Sequence, residues 1–94
     1  MIKGVFQYQD CSTSHVTKET MRYLKRISGN NNIGQTVASY EYGCFISVST
    51  EAEYHKDVPE DLRTVLDFAR GNECLVLRLD ADGCTYPNLP IFDW

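Results

Sequence analysis

The chain has 94 residues, of which 43% are hydrophobic and 23% are charged, and its formal net charge is −4. This length and composition exclude a disordered chain and predict one soluble domain, residues 1–94, with a single modest core. No apolar run approaches the roughly 18 residues of a membrane span and no secretory signal is visible, so we expect a cytoplasmic protein without a membrane partner.

The first predicted elements are a strand and a helix. Residues 2–9 are rich in β-branched and aromatic side chains, which predicts a strand, and residues 10–15 are polar and turn-like. Thr17 is a good N-cap for a helix that ends at Gly29, and residues 30–32 are a predicted connection. The helix carries an apolar stripe at Met21, Leu24 and Ile27.

The second half of the chain predicts a hairpin, a helix and a last strand. Residues 36–41 and 44–49 form two strands that turn around residues 42–43. A helix follows over residues 58–71, with Pro59 in its first turn and a buried stripe at Leu62, Val65, Leu66 and Ala69. Residues 73–79 form a nearly unbroken apolar run, which is typical of a central strand.

The element order is therefore β-α-β-β-α-β. It predicts an α+β fold: a two-layer sandwich with two helices on one face of a four-stranded sheet, followed by a short C-terminal tail. Because Pro87 and Pro90 stiffen the tail, we expect it to fold back and to cover apolar surface. The side chains expected to cover that surface are Ile91, Phe92 or Trp94.

The four cysteines are spaced 33, 30 and 10 positions apart. They form no C-x-x-C pair, which argues against a zinc ribbon. Without a secretory route a disulfide framework is not expected either. We therefore predict reduced thiols at Cys11, Cys44, Cys74 and Cys84.

Two short stretches carry candidate chemistry. In "DADG", Asp80 and Asp82 end the last strand, and Gly83 is predicted to supply the positive φ of a tight turn. A calcium loop would need a later glycine and a glutamate at its twelfth place, where Ile91 stands. In "CSTSH", a nucleophile and His15 lie too close in sequence for catalytic geometry. We therefore expect no catalytic residue, no metal and no cofactor; the alternative is a small metal-assisted hydrolase or nucleotide-handling enzyme that uses Asp80, Asp82 and His15.

Charge divides the chain into two halves. Residues 1–50 hold five Lys and Arg against three Asp and Glu, a net charge of +2, whereas residues 51–94 hold four against ten, a net charge of −6. The acidic half repels phosphate groups, which argues against direct nucleic-acid binding. The asymmetry allows a basic partner, or a homodimer in which the two halves meet.

Two charged surfaces are candidate partner-binding sites. The first helix aligns four cations along one side, which suits an acidic partner: Lys18, Arg22, Lys25 and Arg26. No aromatic residue interleaves them, which weakens the case for single-stranded nucleic acid. The second half offers an acidic surface that suits a basic partner: Glu51, Glu53, Asp57, Glu60, Asp61 and Asp67.

Four segments carry a resemblance to a known group of proteins: "CSTSHVTKET", "YEYGCFISV", "VPEDLRTVLDFAR" and "LVLRLDADGCTYPNLPIFDW". From Cys11 to Trp94 the chain resembles an uncharacterised family of short proteins encoded on bacterial plasmids, prophages and integrative elements. The specific part is the D-x-D-G…L-P-x-[FY]-x-W ending. A departure from the family is Arg78 and Leu79, which add a charge to a strand that is usually more apolar. The resemblance implies no catalytic residues.

The resemblance implies an accessory protein of a mobile genetic element, whose common role is to block a host defence. We therefore expect a non-enzymatic protein that binds and inhibits a host protein complex of the restriction or CRISPR type, acting through its surface in the cytoplasm of the bacterial host.

Overall fold

The structure, a computed structural model, describes residues 3–29 and 36–94. Within these residues the predicted order of strands and helices is present: β1 Tyr8–Ser12, α1 Lys18–Ile27, β2 Val37–Tyr40, β3 Gly43–Ser47, α2 Glu60–Gly71 and β4 Val76–Asp80. Short 3₁₀ helices add to it at Thr13–His15 and Ala52–His55. The predicted connection at residues 30–32 lies outside the described residues.

The four strands form one mixed sheet in the order β1-β4-β3-β2. β1 and β4 are parallel, whereas β4, β3 and β2 pair antiparallel. Side chains alternate across the sheet, so Leu77 and Leu79 of β4 are buried towards the helices while Arg78 points to the other face. The two-layer α+β fold and the central place of the last strand are confirmed.

The helices follow their predicted stripes. Thr17 caps α1, since its hydroxyl accepts a hydrogen bond from the Thr20 N–H at 3.1 Å, and Gly29 beyond the end has a φ of +80°. In α1, Leu24 and Ile27 are buried and Met21 packs against the core. All four predicted positions of the α2 stripe are buried: Leu62, Val65, Leu66 and Ala69. Pro59 is the N-cap residue of α2 and so lies just before its first turn.

The prediction for the first strand is wrong in position. β1 begins at Tyr8 and runs to Ser12, through residues predicted to be a turn, while Val5 and Phe6 are exposed and precede it. The position of β1 is set by its parallel pairing with β4. In this pairing Cys11 lies opposite Leu79 and is fully buried. Burial against a neighbouring strand thus outweighs the local β propensity of the earlier segment.

Two glycines allow the backbone to approach closely. Gly43 begins β3, so the hairpin turn comprises residues 41–42, and a Cβ atom at 43 would overlap the carbonyl oxygen of Leu79 in β4. The positive φ predicted for Gly83 is wrong, since among the described glycines only Gly4 and Gly29 have one. A Cβ atom at Gly83 would instead overlap the backbone carbonyl of Cys11, which is why glycine is needed there.

The C-terminal tail folds back onto the domain, as predicted, but its buried apolar residue is Leu89, which is not one of the three predicted side chains. Of those three, Phe92 is half-buried, whereas Ile91 is 60% and Trp94 54% exposed. The fully buried ring of His15 fixes the tail backbone: Nε2 accepts a hydrogen bond from the Tyr86 N–H at 3.0 Å, and Nδ1 therefore carries the proton that it donates to the Pro90 carbonyl at 2.8 Å.

Candidate binding cleft

A cleft of about 370 Å³ lies between α1 and the β2–β3 hairpin. The helix lines it with Lys18, Arg22 and Lys25, the hairpin turn with Tyr42, and the tail with Trp94. We call the site formed by these five residues the basic cleft. Its volume falls in the range of about 300–1,000 Å³ that is usual for small-molecule sites in proteins.

Helical spacing selects which cations reach the basic cleft. Lys18, Arg22 and Lys25 follow one another at i, i+4 and i+7, which places them on one side of α1. Arg26 does not line the cleft; its guanidinium lies over the ring of Tyr23, 5.6 Å from the ring centre. The structure therefore brings together three of the four basic residues that the sequence marks as a surface.

Tyr42 and Trp94 each make one hydrogen bond to a backbone group of another segment. The Ala81 N–H donates to the Tyr42 carbonyl at 2.9 Å, which joins the hairpin turn to the end of β4. The Trp94 indole N–H donates to the Val16 carbonyl at 2.9 Å. The sequence of α1 does not predict that either aromatic residue lies in the cleft, because both come from segments that are distant in the chain. The signals that mark them are a tyrosine in a tight turn and a lone tryptophan in a proline-stiffened tail.

A smaller pocket of about 210 Å³ adjoins the basic cleft. It is lined by Ser12, Thr13, Ser14, Ala81 and Trp94, and it shares Thr13, Ala81 and Trp94 with the cleft. We call it the hydroxyl pocket. It lies where the carboxyl ends of parallel strands β1 and β4 meet, which is a frequent position for ligand sites in sheets of this kind.

One wall of the basic cleft rests on a hydrogen bond between Tyr40 and Asp80. The Tyr40 hydroxyl donates to the Asp80 carboxylate, and the Asp82 N–H donates to the same carboxylate at 2.8 Å. These two hydrogen bonds lower the pKa of Asp80, while burial and the neighbouring carboxylate raise the pKa of Tyr40 to about 12. Asp80 thus ties the end of β4 to β2 as an ionised group.

Two of the three residues of the alternative enzyme, His15 and Asp80, are engaged in structural contacts, whereas the third, Asp82, is exposed. Both ring nitrogens of His15 bond to the tail backbone, and Asp80 bonds to Tyr40 and to its own turn. Within residues 3–29 and 36–94, no group of three or more His, Cys, Asp or Glu side chains is placed to hold a metal ion. The arrangement favours a scaffold role for His15 and Asp80.

All four cysteines are free thiols in the structure. Burial raises the pKa of Cys11 and of Cys44 to about 12, which keeps both thiols protonated at neutral pH. Cys84 is exposed, and the hydrogen bond to Asp10 raises its pKa as well. None of these three thiols has the lowered pKa of a nucleophilic cysteine.

The acidic surface is only partly available to a partner. Five of its six residues are exposed: Glu51, Glu53, Asp57, Glu60 and Asp67. The Asp61 carboxylate accepts hydrogen bonds from the Thr17 N–H at 2.7 Å and from the Thr20 hydroxyl at 2.8 Å. Asp67 pairs with Arg70 at 2.8 Å along α2. Asp61 is therefore engaged within the fold.

No helix among the described residues is both long and apolar enough to cross a membrane. Comparison with curated proteins and with solved structures gives no match. A family model does match: the C-terminal domain of DUF5983, a family of unknown function, over residues 8–94. The match covers nearly the whole chain and agrees with the expectation of an uncharacterised family.

Proposed function

We propose that this protein, which belongs to the DUF5983 family, is a non-enzymatic binding protein whose basic cleft receives the anionic group of a ligand. The observation that carries the proposal is the convergence of three cations and two aromatic rings, from three separate segments, on one concave site. Cations supply attraction and aromatic rings supply apolar contact area, a combination that favours recognition of a ligand with both properties.

The charge distribution supports selectivity. The whole chain has a net charge of −4, so it repels most anionic surfaces at long range. Among the charged side chains of residues 3–29 and 36–94 that line the cleft, there are three cations and one carboxylate, that of Glu41. An anionic group is therefore attracted to the basic cleft and repelled by the acidic half of the chain. This difference in charge orients the ligand as it binds.

We place this binding activity in a bacterial host cell, where the protein of a mobile element would inhibit a defence complex of the restriction or CRISPR type. The resemblance of the "DADG…LPIFDW" ending to mobile-element proteins supports this role. The exposed carboxylates at Glu51, Glu53, Asp57 and Glu60 are a second proposed contact, for a basic part of the same complex.

The test measures defence in living cells. Bacteria with an active restriction or CRISPR system would express the wild-type protein, the double variant Arg22→Glu/Lys25→Glu, or the control Arg26→Glu, and phage plating would be counted. We expect plating to rise with the wild type and with the control but not with the double variant. Equal plating with all three proteins, or no rise with the wild type in either defence system, would contradict the proposal.

A further inference from the structure

The geometry points to a nucleotide as the ligand of the basic cleft, with its phosphates on the three cations and its base against the aromatic rings. This inference rests on the proposed function, because it names the chemical class of the anionic group. It is carried by the side chains of the cleft, by the adjoining hydroxyl pocket and by the way in which Trp94 is fixed.

Phosphate groups match the polar part of the site. Lys18, Arg22 and Lys25 supply one planar guanidinium and two ammonium groups within a single helix face, and phosphate oxygens accept hydrogen bonds from both kinds of donor. The hydroxyl pocket next to them adds Thr13, Ser12 and Ser14. Because one serine hydroxyl donates to the other, the Thr13 hydroxyl and one serine hydroxyl can act as further donors. The hydroxyl groups of Ser12 and Ser14 lie 2.8 Å apart and so form one small polar patch.

A planar base matches the aromatic part of the site. Trp94 is 54% and Tyr42 57% exposed, so both offer ring surface to a ligand. The only polar atom of the indole is already bonded to the Val16 carbonyl, which fixes the orientation of the ring and leaves it an apolar stacking surface. Proteins that bind single-stranded nucleic acids stack bases on exposed aromatic rings of this kind.

The volume and the surrounding charge favour a free nucleotide over a nucleic-acid strand. The cleft of about 370 Å³ is bounded by α1, the hairpin and the tail. A strand would have to continue over the surface of an acidic protein, where its further phosphates would be repelled. The carboxylates of an acidic peptide would pair with the cations, but such a peptide has no planar base to stack on the aromatic rings.

The lone tryptophan allows a direct binding experiment, because all indole emission comes from the cleft. The wild-type protein would be titrated with ATP, adenosine, inorganic phosphate, oligothymidylate and polyglutamate, with excitation at the red edge of the indole band, where nucleotides do not absorb. We expect ATP to quench the emission and to bind more tightly than any other probe. Arg22→Glu should weaken ATP binding about tenfold or more, while Arg26→Glu leaves it unchanged.

The outcomes separate this inference from the proposed function. Tighter binding of polyglutamate than of ATP, lost in Arg22→Glu, would overturn the nucleotide and leave an anion-binding cleft. Equal affinity for ATP and inorganic phosphate would overturn the role of the rings, and tighter binding of oligothymidylate would overturn the free nucleotide. Failure of every probe to bind, with melting temperatures of the variants unchanged, would overturn the nucleotide and the anion-binding cleft together.

Discussion

Asp61 is predicted from the sequence to be a surface carboxylate, but in the structure it makes hydrogen bonds that hold two helices together. It lies in the first turn of α2, where a negative charge is favourable, and it also accepts hydrogen bonds from the Thr17 N–H and the Thr20 hydroxyl at the start of α1. The N-terminal ends of both helices are thereby joined. Its neighbour Glu60 is exposed.

We predict that Asp61→Ala lowers the free energy of unfolding by about 1–3 kcal/mol, because it leaves a partly buried N–H and a hydroxyl without their acceptor. Glu60→Ala, one position away, should change stability by no more than about 0.5 kcal/mol. Urea unfolding of both variants measures the difference. Equal effects at the two positions would show that Asp61 is an ordinary surface carboxylate.

His55 is the second residue whose burial has a measurable consequence. Its side chain is 1% exposed, and its Nε2 accepts a hydrogen bond from the Ser49 N–H at 2.9 Å. Burial lowers the pKa of His55 below its usual 6.5, Arg70 lowers it further, and Asp67 partly opposes the shift. The folded protein therefore favours the neutral imidazole.

We predict that the lowered pKa of His55 makes the folded protein less stable as the pH falls below 6.5. The unfolded chain takes up the proton as the pH falls through 6.5, whereas the folded protein takes it up only at lower pH. The contribution of His55 is thus complete above pH 6.5 and is lost as the pH falls through the lowered pKa. The melting temperature of the wild type should fall in this window more steeply than that of His55→Gln.

A parallel pH dependence of the wild type and of His55→Gln would contradict the assignment. The titration of Asp10 and Asp80 does not contribute to the change in melting temperature in this pH window. Their pKa values lie below the usual 3.8, so their contributions are lost only at more acidic pH.

The C-terminal tail is held against the domain by one apolar contact and by one set of hydrogen bonds. Leu89 is 7% exposed and belongs to the core, and His15 bonds to the tail backbone on either side of it. The exposed Ile91 lies two positions further along. The Phe92 N–H adds a hydrogen bond to the Ser14 carbonyl at 2.8 Å.

We predict that Leu89→Ala costs about 2–5 kcal/mol of unfolding free energy, as expected for truncation of a buried leucine. Ile91→Ala is the matched control and should cost no more than about 0.5 kcal/mol. Thermal and urea unfolding report both changes. A larger loss for Ile91→Ala would mean that the tail docks through one of the residues that the sequence predicts.

The helices could be predicted from the sequence because each buries one stripe of side chains at helical spacing, which is a local pattern. The position of β1 could not, since pairing with β4 depends on contacts between residues far apart in the chain. The candidate site divides in the same way. Lys18, Arg22 and Lys25 are recognisable from their spacing, whereas Tyr42 and Trp94 join them only through the fold.

At the scale of the whole molecule, the protein combines an acidic second half with a basic cleft. Charge on residues 51–94 sums to −6, yet the residues that line the cleft include three cations from the first half. A protein with this distribution repels anionic polymers and can still bind one small anion tightly at one place. Anion binding should therefore be confined to the basic cleft.

Mapping of amide shifts by heteronuclear NMR during a titration with ATP tests that location most directly, and the single tryptophan adds one indole N–H signal from Trp94. We predict that the largest shifts occur at the indole signal and at the amides of Lys18, Arg22 and Tyr42, with the acidic segment 51–60 unchanged. Shifts confined to the open face of the sheet or to residues 51–60, with the Trp94 signal unmoved, would contradict the assignment of the basic cleft as the binding site.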